Sequence, residues 1–208
     1  MRTLNVSAAI LAGTLLSSPA FADTQPYEAG TILLRLRAVE IAPDVSSHVN
    51  IGGKVSITDA IIPEADITYF LSEHFAVEAI AGTDKHSIYY NGSTKLGSAF
   101  LLPPTVTLQY HFDQIGPLLP YVGAGPNYTF FYDKSHGALG KLHLTDGFGF
   151  ALQIGTDIPL GDSGAFLNVD VKRLFLSTTS VFDGAPPTVA AHVNINPWLI
   201  GAGVGIRL

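Results

Sequence analysis

The sequence predicts an all-β protein: an eight-stranded antiparallel transmembrane β-barrel with up-and-down meander topology. Apolar and polar residues alternate with a period of two in one segment after another, which is typical of strands with two different faces. Only 13% of the 208 residues are charged, whereas 47% are hydrophobic. Yet no segment after residue 22 contains the ~18 consecutive apolar residues of a membrane-spanning helix. Strands must therefore account for the apolar character, and the length favours one domain.

The N-terminal segment, residues 1–22, is predicted to be a signal peptide that is cleaved before Asp23. It has a positive residue at Arg2, an apolar stretch from Val6 to Leu16, and an Ala-x-Ala site formed by Ala20 and Ala22. The apolar stretch is too short to span a bilayer, which needs ~20 residues. Residues 23–208 would then form the barrel, exported to the outer membrane.

The first four predicted strands set aliphatic and aromatic residues against charged or hydroxyl residues. Thr105–Phe112 has the cleanest alternation, with Leu108 and Tyr110 on one face and Thr107 and Gln109 on the other. In chain order, these strands are Thr31–Ile41, Glu64–Leu71, Phe75–Ala81 and Thr105–Phe112.

In the last four predicted strands, glycine and polar residues share the second face. Trp198–Leu208 alternates apolar residues with Gly201, Gly203 and Gly205, and glycine makes room where a barrel wall is crowded. In chain order, these strands are Tyr121–Phe131, Gly147–Asp157, Leu167–Lys172 and Trp198–Leu208.

Eight such strands are compatible with a sandwich, a lipocalin-like soluble barrel or a transmembrane barrel, and the charged face separates them. A lipocalin has an apolar interior and a wet exterior. Here the apolar face carries almost no charge and has aromatic residues near the strand ends, as expected of a lipid-facing surface with aromatic girdles. The polar face carries both signs of charge, which can pair inside a narrow barrel: Arg35, Arg37, Lys172, Arg207, Glu64, Asp66, Glu78, Asp157 and Asp170.

The connections between predicted strands alternate between short and long. Outer-membrane barrels have short periplasmic turns and longer extracellular loops. Both termini are therefore expected on the periplasmic side. The long connections are predicted at Pro43–Ala60, Tyr89–Leu102, Tyr132–Thr145 and Ser177–Val193.

Several separate blocks resemble the OmpW family of small outer-membrane barrels. They occur in the family's order and are scattered over most of residues 23–208. The blocks are Pro63–Phe70, Ala76–Glu78, Leu102–Thr105 with Leu108–Phe112, Pro120–Gly125 with Asn127–Thr129, and Asn196–Trp198 with the glycines at 201, 203 and 205.

The resemblance implies a barrel with a blocked polar base and a narrow apolar passage above it, through which small hydrophobic molecules cross the outer membrane. The interior charges are expected to form a rigid lumen network of paired groups, although they could also merely fill the barrel. A structural or receptor barrel, whose extracellular loops bind a partner without transport, is the alternative function. The predicted network comprises Arg35, Arg37, Asp66, Glu78, Asp170, Lys172 and Arg207.

Three prolines predict a weak seam between the fourth and fifth strands. Pro103 and Pro104 precede the fourth strand, and Pro126 lies within the fifth. Each proline removes a donor from the hydrogen-bond ladder. A seam weakened near the exterior would let an apolar solute leave sideways into lipid.

No enzymatic, cofactor or metal site is predicted. The chain has no Cys and a net charge of −6, which argue against thiolate chemistry and against nucleic-acid binding. Gly161–Gly164 resembles a protease nucleophile segment but is ordinary turn chemistry. The expected partners are outer-membrane lipid, lipopolysaccharide and small hydrophobic solutes, and the barrel is expected to be a monomer.

Overall fold

A computed structural model describes residues 27–135, 137, 140–183 and 189–208. The predicted signal peptide lies outside the described residues. The strands are β1 Ile32–Ala42, β2 Ser46–Val49, β3 Val55–Ile57, β4 Ala60–Phe70, β5 Phe75–Gly82, β6 Asp84–Tyr90, β7 Thr94–Leu102, β8 Thr105–His111, β9 Leu119–Tyr132, β10 Lys141–Leu144, β11 Gly147–Pro159, β12 Ala165–Phe175, β13 Ser177–Asp183, β14 Val189–Asn194 and β15 Trp198–Arg207.

Eight of these strands form a closed antiparallel barrel in the order β1-β4-β5-β8-β9-β11-β12-β15. Each pairs with the next barrel strand along the chain, and β15 returns to β1 from Leu33–Arg207 to Ala42–Trp198. This is the predicted up-and-down meander. Closure matters because the hydrocarbon core supplies no water to hydrogen-bond an open strand edge.

The alternation places apolar side chains outside and polar side chains inside, which confirms the predicted orientation. On β1, Leu36 is 59% exposed, whereas its neighbours Arg35 and Arg37 are buried. On β8, Leu108 is exposed while Gln109 is fully buried. Successive side chains of a strand point to opposite faces, so one register decides the environment of the whole strand.

The predicted long loops differ from the structure, which builds much of them as further strands. β7, β6 and β3 continue the sheet from the upper part of β9, and β10, β13, β14 and β2 form a second, four-stranded sheet. We call these seven strands the extracellular extension, because they lie at the end with the long connections. β2, β3 and β10 were missed because they have only three or four residues, and β7 because its residues do not alternate regularly between polar and apolar.

The inner face has three layers. Aromatic and aliphatic residues, including Tyr27, Phe70 and Phe166, close the periplasmic end. Polar and charged side chains occupy the middle. Above them the inner face turns apolar again, beginning with Val39 and Ile41 of β1. The described residues contain no helix able to span a membrane.

Spin labels on single cysteines will test this orientation cleanly, because the chain has no native Cys. We expect labels at Leu108→Cys and Ile200→Cys to be relaxed by oxygen dissolved in lipid and hardly at all by a water-soluble nickel complex, because both positions are exposed on the apolar face. A label at Ser163→Cys, in an exposed turn, is the aqueous control. Strong relaxation by nickel at Leu108→Cys and Ile200→Cys would invert the assigned faces.

Candidate functional site

The middle layer of the barrel centres on two arginines of β1. The guanidinium of Arg35 holds Asp157 with two bonds, Nε to Oδ1 at 3.3 Å and Nη2 to Oδ2 at 2.8 Å. Its Nη1 donates to Asp66 Oδ1 at 3.0 Å and to Thr68 Oγ1 at 2.7 Å. The planar guanidinium therefore joins opposite walls of the barrel, since Asp66 lies on β4 and Asp157 on β11.

Arg37 repeats this bridging one inward position higher on β1. Its Nη1 lies 2.8 Å from Asp170 Oδ2, and its Nη2 lies 2.8 Å from Glu64 Oε1 and 2.7 Å from Asp66 Oδ2. Lys172 completes the loop, with Nζ 2.9 Å from Glu64 and 2.8 Å from Asp170. We call this group, together with Arg35, Glu78 and Asp157, the charge network.

The charge network contains three cations and five carboxylates, so neutral donors must satisfy the surplus oxygens. Thr107 Oγ1 donates to Glu78 at 3.0 Å. Gln153 Nε2 donates to Asp170, and Asn168 Nδ2 donates to Asp157, each at 2.8 Å. A buried ionic group is tolerable only when its partners are in place, and here they span β1, β4, β5, β8, β11 and β12. The charge network and its neutral donors therefore fill the lumen and connect its walls, and we call this layer the plug.

The structure brings six of the seven predicted network residues together but leaves Arg207 apart. Arg207 lies on the inward register of β15, opposite Leu33, but at the open periplasmic rim, where its side chain is exposed. A strand end carries no second layer of side chains to bury the guanidinium. The predicted network did not include Glu64 and Asp157, although the sequence placed both on the polar face. Their inward positions were the feature that could have predicted their part in the network.

Above the plug lies a narrow apolar cavity of about 50 Å³ that is partly open to solvent. Its walls come from the upper ends of barrel strands and from the extracellular extension. We call it the upper cavity; its apolar lining includes Ile41, Ile57, Phe131, Leu144, Leu174 and Leu199. Such a lining suits an apolar solute and offers little to a hydrated ion.

One ionisable pair, on β6 in the extracellular extension, lines the upper cavity. His86 Nε2 lies 3.0 Å from Asp84 Oδ2, and His86 Nδ1 lies 2.5 Å from the Thr58 carbonyl oxygen. Burial by itself lowers the pKa of His86, but the bond to Asp84, its negative charge and the Thr58 carbonyl outweigh burial and raise that pKa above 6.5. The pair is therefore a structural tie between β6 and the segment before β4.

The predicted seam prolines lie beside the upper cavity. Pro103 is part of its lining, Pro104 follows at the break between β7 and β8, and Pro126 faces outward on β9. The ladder from β8 to β9 pairs Thr105 with Asn127 and Leu108 with Ala124 but skips the two positions between, which lie opposite Pro126 and Gly125.

A side chain joins the two strands just above this interruption. Asn127 Nδ2 donates to the carbonyl oxygens of Pro103 and Pro104 at 3.1 and 3.3 Å and to Thr105 Oγ1 at 2.8 Å. Thr129 Oγ1 donates to Asn127 Oδ1 at 2.9 Å and fixes the orientation of the amide. Just above the skipped positions, this amide and a backbone bond from the Tyr128 amide to the Pro104 carbonyl oxygen at 3.1 Å join the two strands.

Within the described part of the chain, no group of three or more His, Asp or Glu side chains has an arrangement that could hold a metal ion. Ser163, in the protease-like segment, bonds within its own turn: its Oγ donates to the Leu160 carbonyl and accepts from the Ala165 amide. That serine serves the turn between β11 and β12.

Comparison with known proteins gives consistent matches over nearly the whole chain. The profile of the OmpW family matches residues 28–208. An uncharacterized outer-membrane protein of Sinorhizobium fredii is 38% identical, covering 94% of this chain and 89% of the relative. Outer membrane protein W of Vibrio cholerae is 31% identical over 96% of each chain. A dibenzothiophene metabolism operon protein of Pseudomonas aeruginosa is 26% identical over 91% of this chain and 92% of that protein.

Among solved structures, the crystal structure of the outer membrane protein OprG from Pseudomonas aeruginosa superposes with a TM-score of 0.82. It is 26% identical, and the match covers 89% of this chain and 99% of that chain. The shared architecture therefore extends beyond the barrel wall to most of the described residues.

Replacing Arg37 with glutamine should destabilise the barrel strongly. The change leaves Glu64, Asp66 and Asp170 without a cation that contacts all three, and breaking a buried ion pair costs about 3–5 kcal/mol. Urea unfolding of the barrel in lipid vesicles measures the loss. Arg207→Gln is the matched control, and because Arg207 is exposed its effect should be small. Equal stability of the two variants would show that the charge network does not brace the barrel.

The His86 tie should weaken as the pH rises. Its pKa is higher folded than in the unfolded chain, so its contribution is complete below pH 6.5 and is lost as the pH rises through the raised value. Amide hydrogen exchange of β6, corrected for intrinsic rates, should therefore be faster at pH about 8 than at pH about 6. His86→Gln should abolish this dependence; a wild-type dependence that survives in the variant would assign it to another group.

Proposed function

The chain belongs to the OmpW family of outer-membrane barrels, and from that premise we propose that it passes small hydrophobic molecules across the outer membrane. The protein resides in the outer membrane, where its apolar outer face contacts lipid. We further propose that the solute leaves the lumen sideways into lipid and that the barrel acts as a monomer.

The observation that carries the proposal is the stacking of an apolar cavity on a charged plug. A solute entering from outside meets the upper cavity first, where the lining favours apolar surface. Directly below, the side chains of Arg37, Asp66 and Glu78 are fully buried, so the lumen offers no apolar path toward the periplasm. An apolar solute is therefore attracted into the upper half and stopped at its floor.

The interrupted ladder supports a lateral exit. Apolar solutes are more stable in hydrocarbon than in the polar plug. The seam at Pro103, Pro104 and Pro126 adjoins the upper cavity, and above the skipped positions the strands are joined by the Asn127 side chain and by a backbone bond from the Tyr128 amide to the Pro104 carbonyl oxygen. Separating β8 from β9 here breaks fewer backbone bonds than it would elsewhere in the barrel.

The relatives lend further support. One relative is named for an operon of dibenzothiophene metabolism, and dibenzothiophene is an apolar aromatic compound. That name describes the relative. It fits the chemistry of the upper cavity in this chain, which would accept the same class of molecule. If no uptake is measured, the alternative is a receptor barrel whose extracellular loops bind a partner without transport.

Filling the upper cavity should block uptake. Ala99 is buried in its wall, so Ala99→Phe places a ring in the space that the solute would occupy. We expect uptake of a hydrophobic solute into vesicles carrying the full chain to fall to the rate of protein-free vesicles. Ala202→Phe, on the exposed outer face of β15, is the matched control and should leave uptake unchanged. Full uptake by folded Ala99→Phe would refute a route through this cavity.

Strengthening the seam should also slow uptake. Replacing Pro103, Pro104 and Pro126 together with valine restores three backbone donors and favours continuous pairing between β8 and β9. Hydrophobic uptake at equal expression should fall. Pro120→Val, at the periplasmic end of β9, is the control and should not change uptake. Unchanged uptake in the triple variant would argue against a lateral exit at this seam.

A further inference from the structure

One buried carboxylate in the wall of the upper cavity has spare hydrogen-bonding capacity. Asp84 is 5% exposed and His86 is 3% exposed, and both line the cavity. Oδ2 of Asp84 is engaged by His86 Nε2. Its second oxygen, Oδ1, is buried and has no hydrogen-bond partner among the described residues.

The bonding of His86 determines the charge of this pair. The Thr58 carbonyl oxygen can only accept a hydrogen bond, so His86 Nδ1 must donate to it. One proton then lies between Nε2 and Asp84 Oδ2. Whether it resides on the imidazole or on the carboxyl group, the pair carries no net charge. The second oxygen of Asp84, Oδ1, remains an unpaired acceptor.

The other polar groups of the cavity wall do not compete for that acceptor. Thr178 Oγ1 donates to the Thr145 carbonyl at 2.8 Å, and Ser180 Oγ donates to the Ala191 carbonyl at 3.3 Å. The remaining lining is almost entirely aliphatic and aromatic. A buried acceptor left unpaired costs free energy, whereas a bond from a donor to a charged group is among the stronger hydrogen bonds.

We propose that Asp84 is a specificity-determining residue that accepts a hydrogen bond from the hydroxyl group of an apolar solute. The preferred substrates are then hydrophobic alcohols and phenols, in preference to hydrocarbons or ethers of the same size. A neutral donor fits because His86 already balances the charge of Asp84, so a cation gains no unpaired anion. This inference rests on the proposed function, since it names the substrate class of the same cavity.

A matched pair of probes tests the preference directly. 1-Naphthol and 1-methoxynaphthalene share the same ring system, but only the naphthol can donate to Asp84 Oδ1. Uptake is measured into vesicles with lipopolysaccharide in the outer leaflet that carry the full chain, and the rate of protein-free vesicles is subtracted. We expect the wild-type protein to favour 1-naphthol over the ether by about tenfold, which corresponds to about 1.4 kcal/mol, within the net contribution of one hydrogen bond.

Variants at Asp84 separate selectivity from folding. Asp84→Leu removes the acceptor and should bring the ratio close to one, while Asp84→Asn keeps the size of the side chain and should lower the ratio several-fold. Asp162→Leu, in the exposed turn between β11 and β12, makes the same substitution far from the cavity and is the control that should keep the wild-type ratio. The shift in gel mobility on heating verifies that each variant is folded.

The outcomes distinguish the two proposals. Equal protein-dependent uptake of both probes by the wild type, unchanged in Asp84→Leu, would overturn the role of Asp84 and leave transport of hydrophobic molecules standing. A wild-type preference that persists in folded Asp84→Leu and Asp84→Asn would likewise overturn it. No protein-dependent uptake of either probe would overturn the proposed function and this inference with it.

Discussion

The structure depends first on the absence of water in the hydrocarbon core. Every backbone N–H and C=O group at that depth needs a partner within the protein, and a closed antiparallel barrel provides one along almost the whole wall. Closure brings β15 back to β1 and leaves no exposed edge within the membrane. The same constraint explains the fixed alternation, because a register shift of one residue would turn Arg35 and Arg37 toward lipid.

Closure imposes a second requirement, because the narrow lumen must be filled without leaving buried charges unpaired. The inner face meets this requirement with three layers of different polarity. Two arginines of β1 hold carboxylates from several walls together in the middle, and aromatic residues close the base below. Above the charges the inner face becomes apolar. A single strand, β1, contains all three layers in its inward positions, from Leu33 through Arg35 to Ile41.

Charge and weak pairing therefore lie at different heights and have different effects. The charge network braces the middle of the barrel by joining distant strands, which makes the wall rigid there. The proline seam lies higher, beside the upper cavity, where Asn127 replaces part of the missing ladder. The pair Asp84 and His86 is separate from the charge network: it belongs to the extracellular extension and gives a mainly apolar cavity its ionisable groups.

The sequence by itself determined the fold class, the number of barrel strands and the face of each barrel strand, because alternation with a period of two is a local property. The sequence also placed Glu64 and Asp157 on the inward face. It did not show which charged groups contact each other, because pairs such as Arg35 and Asp157 join residues far apart in the chain. The extracellular extension was not predicted because its strands are short or lack regular alternation, and because some of them pair with strands far away in the chain, as β14 does with β2. Tertiary structure decided that Arg207 lies outside the charge network, since the same inward register is buried in mid-barrel and exposed at the rim.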